Sequence, residues 1–281
     1  MTDIRTYPPG VTSWVDAEYG DVDAALEFYA HLFGWQYEEA TPPGLPFRYV
    51  IARLDGADVG GIGGPATVEN AGSVTSTWNT YIAVTDAAAS VERVIRAGGS
   101  EVHPAQAAGD GGVSATVLDP QGVAVRLWQA RGRAGAQVTN VPGAWNFSDL
   151  HTSDPVAAAA FYTDVFGWRT ADLGFATMIT VPGYGDHLAS TVDPDIHRRQ
   201  QSAPPGFADS IGWLAQASED ETPHWHVTFA VADRDATAAA ADRLGATVLT
   251  TAADDWTHTA VIRDPQGAVF TASQFTPPDD W

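Results

Sequence analysis

At 281 residues the chain is long enough for two ordinary domains, each with its own core. Its 35 acidic against 14 basic side chains give a formal charge of −21, which repels nucleic acid and anionic membrane surfaces and leaves neither as an expected partner. Cys and Lys are both absent, so thiol nucleophiles, thiolate metal sites, disulfides, Schiff-base catalysis and phosphate loops of the GxxxxGK type are excluded.

No apolar run approaches the roughly 18 to 20 residues needed to span a bilayer. The N-terminus MTDIRTYPPG has no signal-peptide pattern, so the expected location is the cytoplasm.

In chain order, Trp14 to Glu18 alternates as a strand should. A helix over 22–33 follows, with Asp21 as N-cap, apolar side chains at three-four spacing and Gly34 as a left-handed stop. Strands are predicted at Trp35–Glu39, Arg48–Leu54 and Asp58–Ile62, separated by Pro- and Gly-rich turns. The unit then begins again. A strand at Asn79–Val84 leads to a helix from the Asp86 cap to Ala97, then to strands near Glu101–Val102, Val113–Leu118 and Val123–Trp128. The last two are joined by Asp119-Pro120-Gln121-Gly122, a tight-turn sequence.

Residues 131–141 read as a linker, after which the order repeats. Asp154 to Trp168 copies Asp21 to Trp35, with Phe28-Tyr29 matching Phe161-Tyr162 and Phe33-Gly34-Trp35 matching Phe166-Gly167-Trp168. Strands are predicted at Phe147–Thr152, Trp168–Thr170, Phe175–Val181, His187–Val192 and His226–Val231, with a helix from Asp233 to Leu244. Further strands flank Asp264-Pro265-Gln266-Gly267. Extra residues fall within 193–223, which reads as an insertion and a candidate lid. The expected fold is α+β, with two tandem domains at 9–130 and 142–276, each a pair of βαβββ modules forming a curled sheet with a cleft.

The FY…FGW helix, the DPxG hairpin and the paired βαβββ halves resemble the vicinal oxygen chelate superfamily. That superfamily holds glyoxalase I, extradiol dioxygenases, fosfomycin-modifying enzymes and bleomycin-binding proteins, and tandem actinobacterial members resemble this chain most. The resemblance implies a divalent metal held by His, Gln or Glu on matching strand positions. Seven residues before each helix cap, those positions fall on Trp14, Asn79, Phe147 and His226; four after the Gly of DPxG they fall on Arg126 and Thr271. Only His226 suits a cation, and Arg126 repels one, so neither a metal nor any other cofactor is expected. A centre rebuilt from His151, His224 and His226 stays open, as does a contribution from His187.

Strand parity places Trp14, Asp16, Glu18, Asn79, Tyr81, Arg126 and Trp128 on the first cleft. Phe147, Asp149, His151, His226, Thr228, Thr271 and Ser273 fall on the second by the same rule. Trp14, Asp16, Asn79, Arg126, Phe147, Trp225 and Thr271 are candidate binding residues, as aromatic walls with a few polar groups suit a small molecule. Asp149, His151 and His226 are candidate acid–base residues. Trp78, Trp213, Trp225 and Trp256 are read as stacking surfaces or core. The expected function is metal-independent binding of an aromatic or hydrophobic metabolite or antibiotic, by a monomer or homodimer. The alternatives are a lyase, isomerase or hydrolase using Asp149, His151 and His226, or a divalent-metal glyoxalase or dioxygenase.

Overall fold

The computed structural model describes residues 4–68, 75–174 and 176–277. Phe175, expected to open a strand, lies outside the described residues. The first half of the chain runs β1 (Thr12–Glu18), α1 (Val22–Phe33), β2 (Gln36–Glu39), β3 (Phe47–Leu54), β4 (Ala57–Pro65), β5 (Thr77–Ala83), α2 (Ala87–Arg96), β6 (Ser100–Ala108), β7 (Gly112–Leu118) and β8 (Ala124–Ala130). The second half runs β9 (Trp145–Thr152), α3 (Pro155–Phe166), β10 (Arg169–Asp172), β11 (Thr177–Thr180), α4 (Tyr184–Thr191), α5 (Ile196–Arg199), β12 (Ser210–Gln216), β13 (His224–Ala230), α6 (Arg234–Arg243), β14 (Thr247–Ala253), β15 (Thr257–Arg263) and β16 (Val269–Phe275).

The fold is α+β, in two tandem domains that each contribute an open, curled sheet of eight strands. Their orders are β2-β3-β4-β1-β5-β8-β7-β6 and β10-β11-β12-β9-β13-β16-β15-β14. The same two pairs are parallel in each repeat: β1 with β4 and β5 with β8, then β9 with β12 and β13 with β16.

The helices begin and end where their local chemistry dictates. Asp21, Asp86, Asp154 and Asp233 each accept the N–H three residues on, an orphan donor otherwise left to water. Gly34 and Gly167 take the left-handed conformation that ends α1 and α3.

Two expectations are corrected. Residues 187–191, predicted as strand, belong to α4, because Tyr184 and Leu188 are buried one turn apart and Asp209 accepts the N–H groups of Gly183 and Gly185 at the helix start. Residues 210–216, predicted as part of a lid, form β12, bonded between β11 and β9. The extra chain of the second repeat therefore lies between β11 and β12, where the first repeat has only the Asp55-Gly56 turn. Gly212 permits the pairing. At φ 156°, a Cβ there would sit 2.2 Å from the Ser148 carbonyl oxygen, and at its counterpart in the first repeat, Gly60, a Cβ would meet the Val15 carbonyl oxygen at 3.2 Å.

Packing groups the modules crosswise. One compact unit comprises residues 1–14, 80–135 and 147–225; the other comprises 15–79, 136–146 and 226–281. In the first unit Leu150, Phe161, Tyr162 and Trp168 share a core with Val84, Val91 and Val117. The second unit buries Tyr29, Phe33 and Trp35 against Trp78, Phe229 and Phe270 in edge and stacked contacts.

Each DPQG turn supplies a polar clasp inside that packing. Asp119 accepts the Gln121 and Val123 amides and the Tyr162 hydroxyl. Burial raises its pKa against those three donors. Gln121 accepts the Asp154 amide and donates to the Asp154 carbonyl, locking the start of α3. In the second unit Asp264 accepts from Tyr19 and Tyr29, and Gln266 makes the same reciprocal pair with Asp21. No helix among the described residues is long and apolar enough to cross a membrane.

Candidate functional site

In the first unit the site is built on β9. Its buried side chains Ser148, Leu150 and Thr152 alternate with half-buried Phe147, Asp149 and His151 on the opposite face. β12 runs parallel with Leu214 opposite Leu150, so Trp213 stands beside Asp149 on that face. The Trp213 amide donates to Asp149 Oδ1 at 3.2 Å, the one hydrogen bond that the described residues give this carboxyl. Phe207, in a short 3-10 turn at Phe207–Asp209, completes an aromatic frame. Its ring lies 6.5 Å from Phe147 and 6.1 Å from Trp213. Burial among these rings pushes the Asp149 carboxyl up to about 7, opposed only by the Trp213 amide. At neutral pH Asp149 both holds and releases its proton.

Beyond Asp149 on the same strand stands His151, whose Nδ1 lies 2.5 Å from Glu221 Oε1. His224, at the start of β13, is 3.7 Å from the same oxygen, and its ring centroid is 4.9 Å from that of His151. Burial lowers the His224 pKa, as does the nearby His151, against the Thr222 carbonyl and Glu221, which raise it. Burial raises the Glu221 pKa, but the Ser218 amide and His151 outweigh it and leave the carboxylate below its ordinary range. The expected same-face neighbour of His151 is Asp149; its close acidic partner is Glu221.

The other candidate residues are placed as follows. In the second unit Asp16 is 1 % exposed and accepts from the Tyr49 hydroxyl and the Asn79 amide, both at 2.9 Å. Asn79 thus anchors Asp16. His226 Nε2 and Thr271 Oγ1 are 2.7 Å apart. In the first unit Arg126 lies over the Tyr81 ring, 5.6 Å from its centroid, and donates to the Tyr81 hydroxyl. Trp14 is buried. Trp225, expected on a ligand wall, is a core residue, edge-on to Tyr162 and Trp168. Its position follows from parity, since it alternates with His224 and His226 and must face the other way. Trp78 is likewise core, whereas Trp213 is half-buried and Trp256 exposed.

Sequence reasoning did not single out Tyr49, Phe207 or Glu221. All three sit where no periodicity points to the site: Tyr49 reaches across Gly61, Phe207 follows a turn, and Glu221 lies in a loop.

Comparison with known proteins places this architecture. Residues 13–127 match the Glyoxalase/Bleomycin resistance protein/Dioxygenase superfamily, and residues 147–273 match a glyoxalase-like domain. "Putative glyoxylase CFP32" of Mycobacterium bovis is 36% identical, over 96% of this chain and 97% of its own length. The chain belongs to this superfamily. "Anthracycline biosynthesis protein DnrV" of Streptomyces peucetius is 31% identical, over 94% of this chain and 93% of its own. The Mn(II)-bound glyoxalase of Novosphingobium aromaticivorans shares the fold, with a TM-score of 0.59 at 14% identity, covering 96% of this chain and 84% of that one.

The divalent metal implied by the superfamily resemblance does not fit the matching positions here. In the first unit they hold Trp14, Phe147 and the guanidinium of Arg126, none of them a ligand and one a cation. In the second they hold Asn79, engaged with Asp16, and His226, engaged with Thr271.

Proposed function

We propose that this superfamily member binds a flat, largely apolar small molecule on the face carrying Phe147, Asp149 and Trp213, to sequester or carry it. Binding does not depend on a cation at Trp14, Asn79, Phe147, Arg126, His226 or Thr271. The observation that carries the reading is the half-buried Trp213 ring beside a carboxyl that has a single hydrogen bond among the described residues, inside an aromatic frame. Such a face offers stacking area and one polar anchor, the usual composition of a small-molecule site. The Streptomyces relative named for anthracycline biosynthesis points to planar aromatic ligands as the first class to try.

The test is tryptophan fluorescence titration of the chelator-treated chain with planar aromatic compounds, an anthracycline among them. Saturable quenching that Trp213→Ala abolishes and Asp149→Asn weakens supports the reading. A panel that gives no saturable quenching, or quenching unchanged in Trp213→Ala, removes it.

The Asp149 carboxyl favours a second reading, an acid–base enzyme, because a group poised near neutral pH both donates and accepts protons. His151, two residues along β9, is the other expected participant in this unit; His226, also expected to take part, lies in the second unit. Turnover of a bound ligand that is lost in Asp149→Asn, and in His151→Ala, while binding persists would establish it. Turnover that survives both changes would dismiss it.

A further inference from the structure

We infer that His151, Glu221 and His224 form a site for a borderline divalent cation of the Zn2+ class. One ligand atom from each lies within 4.8 Å of the others. Two imidazoles and a carboxylate are the donor set such ions prefer, and three protein ligands leave a fourth position for water or another oxygen. Tetrahedral ligands about 2.1 Å from an ion stand roughly 3.4 Å apart, so ligand atoms within 4.8 Å need shifts on the order of 1 Å to close on one.

The partners around the cluster orient its ligands. Glu221 Oε2 accepts the Ser218 amide at 3.2 Å, leaving Oε1 toward the two histidines. His224 Nδ1 lies 3.0 Å from the Thr222 carbonyl oxygen and 3.7 Å from Glu221 Oε1. The loop that carries Glu221 is itself fixed: the Ala217 amide binds the Thr152 carbonyl, and the Glu221 amide binds the Ser218 carbonyl. An ion here would tie the 217–223 loop to β9 and to the start of β13. None of the three ligands occupies a strand position matched to the superfamily's metal. The chain's charge of −21 adds a general attraction for cations.

The inference does not rest on the ligand-binding reading, which is tested in chelator, so the two fail separately. The full chain, stripped with chelator, is dialysed against Zn2+ and its metal content measured; Co2+ is then substituted and its visible spectrum recorded. One ion per chain is expected, with a tetrahedral Co2+ spectrum. His151→Ala, Glu221→Gln and His224→Ala should each weaken binding by at least ~10-fold and lose that spectrum. His197→Ala, which removes the separate His197–Asp186 pair, should change nothing. Because all three ligands are only partly buried, the variants should keep the wild-type near-ultraviolet circular dichroism. Zn2+ should raise the melting temperature of wild type but not of Glu221→Gln. Substoichiometric binding in wild type, or affinity unchanged in both Glu221→Gln and His224→Ala, would show the cluster to be a His–Glu ion pair alone and overturn the inference.

Discussion

Asp149→Asn should make the protein more stable at alkaline pH, and the size of the gain follows from the carboxyl's setting. Asn keeps an oxygen for the Trp213 amide, so the substitution removes ionisation and little else. The folded-state pKa of about 7 exceeds the ordinary carboxylate value of about 3.9, so between those values the folded protein binds a proton that the unfolded chain has released. Stability from this group is therefore fully present below pH ~4 and is lost as pH rises toward ~7. Three pH units at about 1.4 kcal/mol each set a ceiling of roughly 4 kcal/mol. Residual water contact at this half-buried group reduces the expected effect to about 2 kcal/mol. The measurement is urea unfolding of wild type and variant in chelator from about pH 5 to pH 8.5, comparing their difference at each pH so that other titrating groups cancel. The variant should gain by about 2 kcal/mol at the alkaline end relative to the acid end. A difference that stays constant with pH, or a variant relatively weaker at the alkaline end, would refute the argument that burial governs this carboxyl.

Two further substitutions probe the frame that holds the site. Gly212→Ala places a Cβ 2.2 Å from the Ser148 carbonyl oxygen, which backbone pairing cannot relieve; a loss of at least ~3 kcal/mol by urea unfolding is expected, together with altered Trp213 fluorescence. Wild-type stability in that variant would mean β12 does not need its close approach to β9. Gln121→Ala removes the acceptor shared by Thr152, Ser153 and the Asp154 amide, and thermal unfolding should report a loss of about 1 to 2 kcal/mol. No change there would mean that water replaces the clasp at no cost.

What the sequence made legible was local. Asp caps, left-handed glycines and a repeated aromatic helix are written in a few adjacent residues, and the four Asp-capped helices fall within a residue or two of expectation. Parity that set His226 and Thr228 on a cleft face requires their neighbours Val227 and Phe229 to be buried, as they are, and the same rule applied to Trp225 excludes it from a ligand wall. β12 was obscured because Gly212 interrupts the alternation of SIGWLAQ; its reason for being there is a carbonyl on another strand, which no local pattern encodes. Glu221 belongs to the same class, since it becomes a partner of His151 only once the loop after β12 folds back along β9.

The two repeats began with equivalent carboxylates, Asp16 and Asp149, and the structure shows how their environments parted. In the first repeat a two-residue turn joins β3 to β4, and Tyr49 from β3 crosses Gly61 to bond Asp16, which Asn79 bonds from β5. Two donors on a buried carboxylate satisfy it, and a group so held makes a structural post. In the second repeat the turn is replaced by residues 181–209, and among the described residues the strand aligned with the Tyr49 strand brings no such hydroxyl to Asp149. The inserted chain instead delivers Phe207 against Phe147 and Trp213. The same backbone position thus receives hydrogen-bond donors in one copy and aromatic rings in the other. Rings desolvate a carboxyl without paying it back in hydrogen bonds, so the copy with the longer insertion is the one left chemically poised.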